Sequence, residues 1–151
     1  MTEFLETTVD KFTFRVATDR CYSNGGLWIR PEEGGRLVRL GLSDFMQQTS
    51  GDVAFADVKP AGTVLAAGDQ VASIETIKVV LELPSPVGGR IAEVNPAMAL
   101  TPELINQDPY GEGWLAKIEA GDWETVRSGL LEPEAYFALM RRQAEEEAKK
   151  L

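Results

Sequence analysis

The chain is 151 residues long and 44% hydrophobic, with 24 acidic against 15 basic side chains and a formal net charge of −9. That length supports one hydrophobic core, the apolar runs are too short to span a membrane, and the acidity argues against nucleic acid and anionic membrane as partners. With no histidine and one cysteine, the chain lacks the commonest general base, the commonest zinc ligand, an internal disulfide and CxxC redox chemistry.

The opening MTEFLETTVD is acidic and has no basic leader, so no signal peptide is expected, and the lone cysteine fits a cytoplasmic setting. Residues 1–10 read as a flexible tail or a short helical turn. KFTFRV alternates Phe12, Phe14 and Val16 against Lys11, Thr13 and Arg15, the period of a half-buried strand. SNGG at 23–26 is a turn, LWIR at 27–30 a second strand, EEGG at 32–35 a hairpin turn and LVRLG at 37–41 the returning strand. Ser43 reads as the N-cap of a short helix that Gly51 closes.

DVAFADV at 52–58 is another strand. Gly62 and Gly68 bracket short strands in TVLAAGDQVASIE, with Gly68-Asp69 as a turn signal. Pro84 and Pro86 end the strand in VVLELPSP, and Gly88-Gly89 starts the next. Thr101-Pro102-Glu103 has the cap, proline and acid of a helix start. DPYGEG at 108–113 is a tight loop and WLAKI at 114–118 a closing strand. Asp122 caps a short helix, and Pro133 opens a last one whose flank of Tyr136, Phe137, Leu139 and Met140 is expected to pack on the sheet. Short strands separated by Gly and Pro turns describe a mainly β sandwich or barrel with peripheral helices. The expected layout is a flexible N-terminus over 1–10, one domain with a packed C-terminal helix over 11–142 and a charged tail over 143–151.

Charge is unevenly placed. Residues 41–118 carry ten acidic side chains against four basic ones, which suits a partner with a basic docking face and equally suits plain solvation. Within that stretch lies Lys78, between the apolar-rich segments 71–75 and 79–83. A lysine there either snorkels from an ordinary strand or sits at the tip of a hairpin. Periodicity alone favours the ordinary strand. At a tip, the amine would be held far from the core and open to modification by another enzyme. It would be poorly suited to Schiff-base catalysis, which wants a desolvated lysine.

The blocks GLSDFMQQTSGDV (41–53), ADVKPAGTVLAAGDQVASIETIKVVLELPSPVGGRIAEVN (56–95) and LTPELINQDPYGEGWLAKI (100–118) move that balance. In order and spacing they resemble the glycine cleavage system H protein family, whose lipoyl-attachment hairpin they match. An ExxK pair alone is common, whereas the ordered set over about 80 residues is specific. Ile77 and Val79 flank the lysine, where biotin carriers place methionines. The resemblance implies a lipoyl/biotinyl-type barrel-sandwich hybrid with short peripheral helices and a C-terminal helix. It implies lipoic acid in amide linkage on Lys78 and a role for Glu75 in recognition of the hairpin by the ligase. Glu112, Gly113 and Trp114 would support the resting position of the arm, although core packing accounts equally well for Trp114. Gly68 and Gly89 would permit the neighbouring turns.

The chain would then be a carrier and not an enzyme. It would shuttle a dithiolane-bound intermediate between partners after loading by a lipoate ligase or lipoyl synthesis enzymes. One departure bears on the pathway. The family's histidine-glutamate-tryptophan element reads Gly26-Leu27-Trp28 here. That tips the expectation toward H-like lipoate-binding proteins of sulfur oxidation, working beside a heterodisulfide-reductase-like complex. The alternatives are an aminomethyl carrier serving the glycine cleavage enzymes and, in another class, an unmodified interaction module. A monomer is expected, and no catalytic or metal-binding residue. Cys21 reads as a buried small hydrophobe beside Tyr22, since nothing visible would activate it in sulfur chemistry.

Overall fold

The computed structural model describes residues 2–150; Met1 and Leu151, the outermost positions of the two expected tails, lie outside the described residues. Among the described residues, eleven strands and five α-helices follow one another. They are β1 (Phe4–Val9), β2 (Phe12–Ala17), β3 (Cys21–Tyr22), β4 (Leu27–Glu32), β5 (Leu37–Leu42), α1 (Asp44–Ser50), β6 (Val53–Val58) and β7 (Val64–Leu65), then β8 (Gln70–Thr76), β9 (Val80–Pro84), β10 (Gly89–Val94), α2 (Ala97–Leu100), α3 (Leu104–Gln107), β11 (Ala116–Glu119), α4 (Trp123–Ser128) and α5 (Pro133–Lys149).

They form a hairpin of β1 and β2, a six-stranded sheet in the order β3-β4-β5-β11-β10-β7 and a three-stranded sheet in the order β6-β8-β9. All pairings are antiparallel. The expected mainly β architecture with peripheral helices and a C-terminal helix is what the chain adopts, as packed sheets and not as one closed barrel.

The two larger sheets close on one apolar core. Ile29, Val38, Leu40 and Ile118 come from the six-stranded sheet, and Val71, Ile74 and Leu83 from the three-stranded one. In β8 the alternation is clean at Ile74, Glu75 and Thr76, which are buried, exposed and buried. It breaks at Val71 and Ala72, both buried, where the β8–β9 register shifts. A bulge of this kind lets two successive residues face the core.

A second cluster holds Phe14, Val16, Tyr22, Trp28, Phe45, Tyr136 and Met140. Here α5 packs against β1, β2 and β3, burying Tyr136, Met140 and Ala144. Tyr22 and Tyr136 stack with ring centroids 4.4 Å apart. Among the described residues, no helix is long and apolar enough to cross a membrane.

Three expectations are corrected. Residues 4–9 are not a loose tail but strand β1, paired with β2 from Phe4–Ala17 to Val9–Phe12. In FLETTV the partly covered Leu5, Thr7 and Val9 alternate with the exposed Glu6 and Thr8, and the threonine at the middle covered position hides that period in the sequence. Residues 143–149 are not a separate charged tail. Helix α5 continues to Lys149, with Ala144 buried. The helix expected from Thr101-Pro102-Glu103 begins at Leu104 and lasts one turn, preceded by the separate turn α2.

Candidate functional site

Lys78 lies in the four-residue turn Thr76–Val79 that joins β8 to β9, closed by Thr76 N–H donating to the Val79 carbonyl at 2.8 Å. The register pairs Glu75 with Val80, so the lysine sits at a hairpin tip and not within a strand. The tip is exposed, with Ile77 at 75% and Val80 at 56%.

The turn is anchored from below. Thr76 is 7% exposed, and its hydroxyl donates to the Ser50 carbonyl at 2.6 Å. The hydroxyl oxygen in turn accepts the backbone N–H groups of Lys78 and Val79 at 3.1 and 3.0 Å. Ile77 N–H donates to the Asp52 carbonyl at 3.0 Å. The hairpin tip is thus tied to the C-terminal end of α1 and to the start of β6.

That segment is itself held by Asn106 of α3. Its side-chain amide donates to the Gly51 carbonyl at 3.1 Å, and its side-chain carbonyl accepts Val53 N–H at 2.8 Å. Gly51 has φ +94, and a Cβ there would stand 3.0 Å from Lys78 Cδ. The missing side chain lets the lysine stem lie along the backbone. Lys78 Nζ completes the arrangement by donating to the Thr49 carbonyl at 3.0 Å. Thr76, Thr49 and Asn106 are site residues that sequence reasoning missed, because their bonds join segments 26 to 55 positions apart.

Glu75 faces outward on the three-stranded sheet, in a row with Phe55 and Val80. Phe55 is 67% exposed. The next outward row holds Asp57, Ser73 and Glu82. The face beside the tip is therefore acidic with uncovered apolar groups. Gly68 and Gly89 take the positive φ expected of turns, +97° and +147°.

The DPYGEGW segment does not approach Lys78 in the same way. Asp108 accepts Glu112 N–H at 2.8 Å, Asn95 donates to the carbonyls of Glu112 and Trp114 at 2.8 Å each, and Trp28 Nε1 donates to the Pro109 carbonyl at 2.9 Å. Trp114 lies beneath the charged ends of Arg39 and Lys117. These contacts lock the loop to the six-stranded sheet. None of Glu112, Gly113 and Trp114 lines the cavity beside Lys78.

Gly26, where the resemblance implies a histidine, has φ +87, and a Cβ there would run into Met46 Cγ. Leu27, where the resemblance implies a glutamate, is buried in the core. Cys21 is 4% exposed and donates to a Glu132 carboxylate oxygen at 3.1 Å. Burial and that carboxylate push its thiol up to about 12, so it is no nucleophile at neutral pH.

The family model for glycine cleavage H-protein matches residues 20–143. A glycine cleavage system H protein from Bacteroides thetaiotaomicron is 40% identical over 119 residues, covering 79% of this chain and 92% of its own. One from Thermus thermophilus is 37% identical over 129 residues, covering 85% and 98%. The crystal structure of a glycine cleavage system H protein from Mycobacterium marinum superimposes with a TM-score of 0.69 at 30% identity, over 80% of this chain and 95% of that one.

Proposed function

The chain belongs to the glycine cleavage H-protein family, and from that premise we propose that it is a carrier bearing lipoic acid in amide linkage on Lys78. The observation that carries the reading is the placement of Lys78: exposed at a hairpin tip whose turn is pinned by Thr76 to Ser50. Bound lipoate would supply a dithiolane that takes up and gives back a group or two electrons. The chain's own residues present the attachment point.

Each part of the site has a separate task. The Thr76 bonds hold the turn in one conformation, so the ordering cost is met before any partner arrives. Glu75, outward and close to the tip, is in place to be read by the lipoate ligase or lipoyl synthesis enzymes. The acidic rows around Phe55 fit a partner whose docking face is basic with an apolar centre. A tethered arm then raises the effective concentration of the carried group at the partner's active site. On this reading the chain is no enzyme, works as a monomer and resides in the cytoplasm. Its domain is the body from residue 11 to 142, extended by β1 and the rest of α5.

The curated relatives described above are named glycine cleavage system H proteins, which supports service to the glycine cleavage enzymes as an aminomethyl carrier. A second reading is a carrier in sulfur oxidation beside a heterodisulfide-reductase-like complex, and it rests on the departure from the family element alone. Where the resemblance implies a polar His-Glu pair, this chain has Gly26 at positive φ and a buried Leu27. The lipoylated protein, offered to a glycine decarboxylase with glycine and bicarbonate, separates the two. Carboxyl exchange that requires Lys78 supports glycine cleavage. No exchange, with specific binding to the heterodisulfide-reductase-like complex, supports the sulfur role.

A further inference from the structure

A cavity of about 210 Å³ opens beside Lys78. The β1–β2 hairpin contributes Phe12 and Phe14, α1 contributes Phe45 and Thr49, and α5 contributes Ala144 and Ala148. Two exposed carboxylates, Asp10 and Glu147, complete its rim. Phe14 is 5% exposed and packs against Phe45 at 5.2 Å between centroids, whereas Phe12 is left 51% exposed. An aromatic side chain half-uncovered over a cavity is a surface without an occupant.

We propose that this cavity is the seat of the dithiolane end of the arm on Lys78, walled in part by segments that lie outside the family match. The inference rests on the reading of Lys78 as a lipoyl anchor. The family match covers residues 20–143. Both strands of the hairpin and both alanines of α5 in the wall lie outside it. The loop expected to support a resting arm, residues 112–114, takes no part in the wall.

Three features commit the cavity to that occupant. Lys78 is itself one of its lining residues, so an arm on Nζ begins at the rim and no separate ligand has to be found. Nζ already donates to the carbonyl of Thr49, another lining residue. An amide nitrogen keeps one N–H, so the same bond survives attachment of the arm and aims its root at the opening. The walls are aromatic, and a cyclic disulfide is an apolar, polarizable ring that gains from sulfur–aromatic contact. A seated ring would be shielded from solvent thiols, and the arm would leave the seat when a partner binds it more tightly.

The test uses the full chain, lipoylated by a lipoate ligase and checked by intact mass. Nuclear Overhauser contacts between the dithiolane ring protons and the rings of Phe12, Phe14 and Phe45 are expected. Spectral changes on lipoylation confined to the Thr76–Val80 turn, with no such contacts, would overturn the seat. Reduction of the ring by a phosphine provides a second readout. Phe12→Ser removes one wall and Ala148→Trp fills the cavity from the other side. Each is expected to speed reduction by about tenfold, the factor for an arm seated roughly nine-tenths of the time. Equal rates in wild type and in both variants, with circular dichroism unchanged, would overturn it. A preparation that takes up no lipoyl mass overturns both the seat and the anchor. A lipoylated chain without ring contacts overturns the seat alone.

Discussion

The hydroxyl of Thr76 lies 2.6 Å from the carbonyl oxygen of Ser50, and this contact joins the tip of the β8–β9 hairpin to the end of helix α1. Because the hydroxyl oxygen also accepts the N–H groups of Lys78 and Val79, one buried side chain satisfies three backbone groups. Replacement by valine keeps the shape and leaves those groups unpaired. Thr76→Val is expected to cost about 1–3 kcal/mol. For a chain of this size that is a fall in Tm of roughly 2–4 °C per kcal/mol. The turn carrying Lys78 would also lose its fixed conformation, so the rate of lipoylation should fall with the Tm. Thr76→Ser should restore most of both. Unchanged melting and lipoylation in the valine variant would remove Thr76 from the account.

Acid stability is predicted to depend on Glu32. Its carboxylate lies 3.1 Å from Arg30, 2.6 Å from Arg39 and 3.5 Å from Lys117. Burial by itself would raise its pKa; the Arg30 hydrogen bond and the charges of Arg39 and Lys117 outweigh that and hold it below the usual 4.5. A carboxylate depressed in the folded state stabilises the fold above its unfolded pKa, and that stability is lost as the pH falls through the folded value. Wild-type Tm should therefore drop as the pH falls from the usual carboxylate value downward. Glu32→Gln should be less stable at pH 7, by about 1.5–3 kcal/mol, and should lose less on acidification. Parallel pH profiles for the two proteins would contradict this.

Cys21 should be silent toward thiol reagents in the native protein. Burial and the Glu132 carboxylate keep it as the thiol. Iodoacetamide at pH 8 is expected to label Cys21 only after denaturation, and to label the thiols of a reduced lipoyl arm first. Native labelling of Cys21 at the rate of a free thiol would assign it a reactive role.

Gly26 and Met46 should be coupled. Gly26→His, which introduces the histidine implied by the resemblance, imposes a side chain at φ +87 and displaces Met46. The positive φ alone costs on the order of 1–3 kcal/mol. In the Gly26→His/Met46→Ala double variant, the Met46 clash is relieved. The two changes together should cost less than their sum by about 1 kcal/mol. Strict additivity would mean that Met46 is not what excludes a side chain at this position.

The pattern of the sequence carried some levels of this structure and not others. Two apolar-rich segments of similar length left the pairing of β8 with β9 open, with periodicity favouring one strand through Lys78, and it was the ordered family blocks that placed Lys78 at their turn. The Ser43 cap of α1 was legible, and its side chain does accept Met46 N–H at 3.4 Å. Strand β1 was not, because Thr7 occupies the middle of its covered positions and blurs the apolar alternation of FLETTV. Nor could local pattern find Thr76 or Asn106. A threonine in a strand and an asparagine in a helical turn are unremarkable until the fold brings them to the Ser50–Val53 segment. The cavity beside Lys78 draws its walls from residues 9–14, 45–49 and 144–148, which only the packing of α5 on the hairpin brings together.

The most direct measurement is the intact and peptide mass of the chain after incubation with a lipoate ligase, ATP and lipoate, run beside Lys78→Arg. One lipoyl adduct is expected in the wild type, confined to the peptide containing Lys78, and none in the variant. An unmodified wild type, or an adduct that persists in Lys78→Arg, would contradict this expectation.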